Sequence, residues 1–166
     1  MMTDAADTPP AAELSHVDDR GRVRMVDVGG KAATARVAVA RGRIRMSAHA
    51  RRLIRDGRIA KGDPLQAARI AGIMAAKRTA ELIPLCHPIP LTHVEVDLRS
   101  LEEGYEIDAR VSTTAPTGVE MEALTAVSTA ALTVYDMLKA ADRSMVIGDI
   151  RLIEKAGGRS GPYRAE

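Results

Sequence analysis

Charged side chains that could bind phosphate or move protons stand at a few points of the sequence. Lys61 and Gly62 precede Asp63-Pro64, a pair typical of a helix start because aspartate caps free N–H groups and proline fits the first turn. Free N–H groups at a helix N-terminus attract anions, and a lysine just before them strengthens that attraction. The pattern therefore indicates a phosphate-binding lysine, although a solvated loop lysine is the simpler local interpretation.

A second group of reactive side chains lies in the apolar segment Glu81–Leu91. Its three prolines prevent a regular helix or central strand, so Cys86 and His87 are predicted to lie in an extended loop. An irregular, fixed backbone that presents histidine suits acid–base chemistry or phosphate binding. Zinc is disfavoured because the other histidines lack ligand spacing with the single cysteine. A Cys–His nucleophile is disfavoured because neighbouring side chains of an extended chain point apart.

The segment Gly118–Ala141 predicts a long helix with two different faces. At about 100° per residue, the predicted inner arc carries Leu124, Val127, Ala131, Val134, Tyr135 and Leu138. The opposite arc carries Glu122, Thr125, Thr129, Thr133, Asp136 and Lys139. No charge occurs between Ala123 and Tyr135, whereas a solvated face would carry many. We therefore expect this outer face to pack against another subunit.

Charged residues return only at the ends of this predicted helix. Thr117 and Glu120 have the spacing of a capping box, so we interpret Glu120 as a capping residue. Asp136 and Lys139 have the spacing of a surface i,i+3 ion pair, which stabilises a helix only slightly. Beside an interface, the same aspartate could instead orient the lysine and tune its proton affinity. Both interpretations of this pair stay open.

Composition argues against several classes of protein. The chain has 166 residues, 46% of them hydrophobic, which is enough for one well-buried core. A net charge of +2 gives no general attraction to nucleic acid or membranes, and the chain has no Phe or Trp to stack on bases. We therefore expect neither nucleic acid nor membrane as a partner.

The expected compartment is the cytoplasm. No apolar run approaches membrane-spanning length, and the N-terminus is acidic and proline-rich where a secretory signal would be basic and then apolar. The single cysteine excludes an intramolecular disulfide and fits a reducing environment. The phosphate-binding motifs GxGxxG and GxxxxGK[ST] are missing from the sequence, so any phosphate must be held by side chains.

Apolar periodicity predicts the elements that position these residues. Residues 1–13 show no periodicity and predict a disordered leader, which leaves a single domain at 14–163. The predicted order is strand 35–46, helices 48–56 and 64–80, strands 92–99 and 105–113, helix 118–141 and strand 145–153. This order predicts an α+β fold of ferredoxin-like connectivity, with a mainly antiparallel sheet and helices packed on one face.

Several short sequence motifs, found in a fixed order, resemble those of the cyclic pyranopterin monophosphate synthase family, and the resemblance runs from about Leu14 to Tyr163. They are MVDV (25–28), KGD (61–63), ARIAGI (68–73), LIPLCHP (82–88), TGVEMEALT (117–125), YDM (135–137) and GGRSG (157–161). Agreement in several motifs in a fixed order is far less plausible by chance than agreement in any single motif. Pro64 departs from the small aliphatic residue usual in the family, which should be harmless in the first turn of a helix.

The resemblance implies an enzyme of molybdenum cofactor biosynthesis. Its substrate would be a 3′,8-cyclised dihydroguanosine triphosphate, converted to cyclic pyranopterin monophosphate with release of pyrophosphate. It also implies a ferredoxin-like subunit, a homohexamer built as a trimer of dimers, and active sites between subunits. No tightly bound cofactor or metal is expected, although Mg²⁺ can accompany the triphosphate.

The family's functional residues map onto matching positions of this chain. The resemblance implies that Lys61 and Lys139 form an acid–base pair and that Asp136 is the catalytic partner of Lys139. It implies further that one group of residues contacts substrate: Leu85, Cys86, His87, Met121 and Glu122. Arg36 and Lys155 would bind phosphates.

Two alternatives come from other functional classes. A non-catalytic nucleotide- or RNA-binding module is conceivable because ferredoxin-like sheets support many functions, but it predicts exposed aromatics and a basic stripe that the strands lack. A purely structural oligomer predicts that the candidate residues are dispersed. Their positions in the fold therefore discriminate between these readings.

Overall fold

The computed structural model describes residues 20–158 and 161–165, so the predicted leader at 1–13 lies outside the described residues. The elements follow the order β1 (Thr34–Arg45), α1 (Ala48–Arg55), α2 (Pro64–Lys77), α3 (Thr79–Leu82), β2 (His93–Leu101), β3 (Gly104–Ala115), α4 (Glu120–Leu138), β4 (Val146–Ala156) and β5 (Tyr163–Arg164). The strands form one sheet in the order β2-β3-β1-β4-β5, and each neighbouring pair is antiparallel. The predicted α+β, ferredoxin-like fold is confirmed.

Side-chain caps begin the first two helices where the sequence predicts them. The Ser47 hydroxyl accepts a hydrogen bond from the Ala50 N–H at 3.2 Å and starts α1. The Asp63 carboxylate accepts from the N–H groups of Leu65 and Gln66 and starts α2. Each acceptor satisfies N–H groups that have no partner inside the helix.

The second helix ends earlier than predicted. The prediction of one helix to about Ala80 is wrong, because α2 stops at Lys77 and a separate turn, α3, begins at Thr79. The buried Thr79 hydroxyl donates to the carbonyl oxygens of Ala75 and Ala76. Such back-bonding competes with the regular helical ladder and accompanies the break.

The core lies between one face of the sheet and the helices. On β1 and β3 every second residue points into it, and these buried residues include Ala38, Ala40, Ile44, Ile107, Ala109 and Val111. α4 packs on this face and against α2, contributing Val127, Val134 and Leu138 among its buried residues. Gly72 of α2 permits the close approach, because a Cβ there would lie 3.0 Å from the carbonyl oxygen of Ala126.

The buried side of α4 differs from the predicted inner arc. Ala123, Ala126 and Ala130 are buried along with Glu122, which was predicted to face outward. Leu124 and Tyr135, predicted to face inward, are only partly buried. The reason is that α4 has two partners, α2 and the sheet, so its buried arc is wider than an arc facing the sheet alone and is turned toward α2.

The predicted capping box at the start of α4 is wrong. The N-cap residue is Val119, and no side chain forms a capping hydrogen bond there. The Glu120 carboxylate lies instead 3.5 Å from the Lys155 Nζ. A tertiary ion-pair partner has replaced the local cap, which sequence spacing alone cannot reveal.

The close approach of Gly104 to β1 provides a test of the register between β1 and β3. Gly104 has φ +152°, and a Cβ at this position would collide with the carbonyl oxygen of Ile44. Gly104→Ala is expected to lower the free energy of unfolding by at least about 2 kcal/mol, because backbone must shift to admit the methyl group. Urea unfolding measures this change. Glu102→Ala in the same exposed turn is the control, and equal stability of both variants would contradict the assigned contact.

Candidate functional site

One cluster of candidate residues joins α4 to the turn between α1 and α2. The Asp136 carboxylate lies between two lysines: Lys61 Nζ donates to its Oδ2 at 2.9 Å, and Lys139 Nζ lies 2.8 Å from its Oδ1. Lys61 Nζ also donates to the Asp136 backbone carbonyl at 3.2 Å. We call these three residues the lysine cluster. The last turn of a helix also attracts cations, so the end of α4 favours both ammonium groups.

The electrostatics of the lysine cluster favour the charged forms of Asp136 and Lys139. Hydrogen bonds from Lys139 and Lys61 lower the pKa of Asp136 to about 2. The same Asp136 carboxylate raises the pKa of Lys139 above its ordinary value. At neutral pH the cluster therefore presents a protonated lysine beside a permanent carboxylate, which suits proton donation to a bound molecule. All three side chains are about half exposed, so a ligand can reach them.

A second set of candidate residues lines a cavity of about 440 Å³ at the N-terminal end of α4. The predicted substrate contacts Leu85, Cys86, His87, Met121 and Glu122 all line it, together with Val26, Val28, Lys31, Thr117, Gly118 and Glu120. We call it the carboxyl cavity. The structure thus brings all five predicted contacts into one concave space.

The proline-rich loop positions Cys86 and His87 as the sequence predicts. Residues 83–92 form neither helix nor strand. The Thr113 hydroxyl of β3 donates to the carbonyl oxygen of Pro90 and holds the loop on the sheet. His87 Nε2 lies 2.8 Å from the carbonyl oxygen of Val26, so Nε2 carries the proton and Nδ1 is the atom left to exchange one.

Glu122 and Cys86 have altered proton affinities in this cavity. Burial, with the nearby Glu120 charge, raises the pKa of Glu122, whose side chain is almost completely buried. A carboxyl group tuned upward in this way can act as an acid or base nearer neutral pH. Burial and the Glu122 charge also raise the pKa of the Cys86 thiol. A thiol that stays protonated is a poor nucleophile.

Arg36 and Lys155 stand at the edge of the same region. Arg36 donates to the carbonyl oxygens of Ala115 and Pro116 and lines an adjoining cavity of about 530 Å³. Lys31 and Thr117 line both cavities, so the two are adjacent. Lys155 approaches the carboxyl cavity through its ion pair with Glu120. Cationic groups therefore border a cavity whose interior carries a carboxyl group and a histidine.

The two sets of candidate residues do not meet within one chain. Glu122 lies in the first turn of α4 and Asp136 in its last turn. A rise of about 1.5 Å per residue separates them by roughly 21 Å along the helix axis. The lysine cluster and the carboxyl cavity are thus held at opposite ends of one rigid element.

Two charged residues that line the carboxyl cavity were missed by the sequence analysis. Lys31 follows Gly29-Gly30 just after the MVDV motif. A lysine so close to a family motif could have been predicted as a site residue. Glu120 was interpreted as a cap but lines the carboxyl cavity. Among the described residues, no group of three or more His, Cys, Asp and Glu residues is placed to hold a metal ion. Within the described part of the chain, no helix is both long and apolar enough to span a membrane.

The fold and these two sets of residues define the chain as a ferredoxin-like α+β protein with a lysine cluster at one end of α4 and the carboxyl cavity at the other. The chain belongs to the MoaC family, which its sequence matches over residues 25–158. It is 67% identical over 157 residues to the cyclic pyranopterin monophosphate synthase of Thermomicrobium roseum, covering 93% of this chain and 95% of that protein. The synthase of the same name from Heliobacterium modesticaldum is 61% identical over 155 residues, covering 92% and 98%. That of Novosphingobium aromaticivorans is 60% identical over 153 residues, with the same shares.

The lysine cluster predicts a specific titration. Asp136→Asn removes the charge that raises the pKa of Lys139, so Lys139 is expected to lose its proton at a lower pH than in the unchanged protein. A side-chain NMR titration of Lys139 measures this directly. Asp97→Asn is the matched control, because Asp97 is a half-exposed aspartate whose ion-pair partner is Arg69. An unchanged Lys139 titration in Asp136→Asn would contradict the coupling.

Proposed function

We propose that this chain is the enzyme that converts 3′,8-cyclised dihydroguanosine triphosphate to cyclic pyranopterin monophosphate, a phosphorus–oxygen lyase step of molybdenum cofactor biosynthesis. The observation that carries the proposal is the grouping of the family-matched residues into one lysine cluster and one carboxyl cavity. The high identity to proteins named cyclic pyranopterin monophosphate synthase, over more than nine-tenths of the chain, supports the same reaction.

The residue types suit the chemistry that this reaction requires. Rebuilding the ring system needs protons delivered and removed several times, and we assign this work to the acid–base pair Lys61 and Lys139 with Asp136 as partner. His87 and Glu122 can exchange protons from the opposite side of the substrate. Leu85, Cys86 and Met121 are assigned to its apolar contacts.

Pyrophosphate release needs positive charge around the phosphates. Attack of a ribose hydroxyl on the α-phosphate forms the cyclic phosphate and expels pyrophosphate, whose developing charge must be stabilised. Arg36 and Lys155 are assigned to this role, and Lys31 lies on the same cavity. The reaction as proposed needs no tightly bound cofactor, and any Mg²⁺ enters as the counter-ion of the triphosphate.

The proposed site is completed by a second copy of the chain. Because the lysine cluster and the carboxyl cavity lie at opposite ends of α4, one substrate can touch both only if it lies between two subunits. In a two-fold dimer each copy would supply the lysine cluster to one site and the carboxyl cavity to the other.

Apolar residues exposed on the helical layer support this assembly. Ile70 and Met74 on α2 and Leu132 on α4 are each more than half exposed, and Met121 is 37% exposed. Apolar side chains of this size on one layer favour burial against another protein surface. We propose a homohexamer built as a trimer of dimers, located in the cytoplasm.

The opposite face of the sheet does not favour an RNA-binding module. Arg41 donates to both carboxylate oxygens of Asp108, and Arg43 donates to Glu106. Arg99 bridges the same two carboxylates at 2.7 and 2.8 Å. These guanidinium groups are already neutralised within the sheet, so they do not form a basic stripe for phosphates.

Pyrophosphate release from the 3′,8-cyclised guanosine triphosphate is the direct test. The purified chain is expected to release pyrophosphate, and Lys61→Ala and Lys139→Ala are each expected to slow it at least about a hundredfold through loss of general acid–base catalysis. Arg110→Ala, an exposed arginine on the open sheet face, is the control. No release by a folded, oligomeric wild-type protein would overturn the proposed reaction.

Mixing inactive variants tests the shared site. Lys139→Ala and His87→Ala are each expected to be inactive alone, but oligomers assembled from an equal mixture should regain about a quarter of the wild-type sites under random pairing. Co-refolding followed by the pyrophosphate assay measures the recovery. A mixture that stays as inactive as its components would show that both residues must come from one chain.

A further inference from the structure

A third cavity, of about 510 Å³, lies beside α1 and contains none of the residues assigned to the reaction. We call it the α1 cavity. Its lining includes three arginines of α1, namely Arg51, Arg52 and Arg55. Asp63, Ser100 and Tyr105 complete the polar part of its wall.

The charges of the α1 cavity are unbalanced. Its one lining carboxylate, Asp63, already accepts two N–H groups as the cap of α2. Arg55 pairs with the neighbouring Asp56 at 3.0 Å. The side chains of Arg51 and Arg52 have no ion pair with any described residue. Within the part of the chain that the structure describes, these two guanidinium groups at the cavity thus have no counter-ion.

Arg51 is held in an environment that favours an anion. Its Nε is shielded from solvent and has no hydrogen-bond partner among the described residues. A guanidinium that is partly desolvated in this way attracts a nearby negative charge more strongly than one in water. Arg51 and Arg55 are also four residues apart on α1, so their side chains lie on the same side of the helix.

Neutral hydrogen-bond donors complement the arginines. The Tyr105 side chain is almost completely buried, and burial raises the pKa of its hydroxyl, so that group keeps its proton. Ser100 lies opposite Tyr105 in the β2–β3 ladder, and its hydroxyl is hydrogen-bonded to that of Tyr105, which leaves one O–H of the pair to donate to a ligand. Guanidinium forks and hydroxyl groups together match the oxygens of phosphate groups.

We propose that the α1 cavity is a binding site for a polyphosphate anion, either free pyrophosphate or the phosphate chain of a nucleotide. Its volume exceeds the space that one phosphate needs, and its guanidinium groups lie along one helix, which suits a chain of linked phosphates. The site is independent of the proposed reaction, since Lys61, Asp136 and Lys139 do not line it.

Calorimetric titration of the full chain with inorganic pyrophosphate tests the site, with a parallel titration of GTP at the same ionic strength. The Arg51→Gln/Arg52→Gln variant is expected to lose one binding event per chain, or to bind at least about tenfold more weakly at one site, because charge-assisted contacts are removed. Arg110→Gln removes one exposed positive charge elsewhere and should bind as the unchanged protein does.

The ligand source and the fold are controlled separately. Loss confined to the pyrophosphate titration would identify free pyrophosphate, and loss confined to GTP would identify a nucleotide. If Arg51→Gln prevents folding, Arg52→Gln/Arg55→Gln replaces only exposed side chains of the same cavity and carries the same expectation. Equal stoichiometry and affinity in the folded variants and the unchanged protein would overturn the proposal, as would an equal loss in Arg110→Gln.

Discussion

The close packing of α4 against both α2 and the sheet is the constraint on which the rest of the structure depends. It buries eight of the 19 residues of α4 and holds Glu122 and Asp136 at a fixed separation. Gly72 makes this packing possible, because a larger side chain would press on the backbone of α4 at Ala126. A helix clamped on two sides cannot bend to bring its ends together, so a site that uses both ends requires a second subunit.

The carboxyl groups at the two ends of α4 have pKa values shifted in opposite directions, and each shift has a local cause. At the C-terminal end, hydrogen bonds from Lys139 and Lys61 lower the pKa of the exposed Asp136 carboxylate to about 2. At the N-terminal end, burial dominates and raises the pKa of Glu122. One carboxylate therefore stays charged to organise lysines, while the other can gain and lose a proton.

Local patterns predicted most of the fold, because caps, turns and strand alternation depend on neighbours in sequence. Ser47 and Asp63 began helices as expected, and the β2–β3 hairpin formed at the predicted turn. The prolines around His87 likewise predicted an irregular loop. Tertiary partners decided the rest: α2 turned the buried arc of α4 toward itself, and Lys155 drew Glu120 away from a cap. The functional roles were predicted from motifs shared with a family, because apolar periodicity does not identify functional residues.

The segment before β1 forms one wall of the carboxyl cavity through Val26, Val28 and Lys31. Val23 makes an isolated β-bridge, and residues 24–33 form neither helix nor strand. A hydrogen bond from His87 Nε2 to the carbonyl oxygen of Val26 links this segment to the proline-rich loop. The residues of this segment are exposed except for the half-buried Val26 and Val28, whereas the first turn of α4 on the other side of the cavity belongs to the packed core. Entry and exit of a ligand are therefore expected to depend on displacement of this segment more than on movement of the other walls.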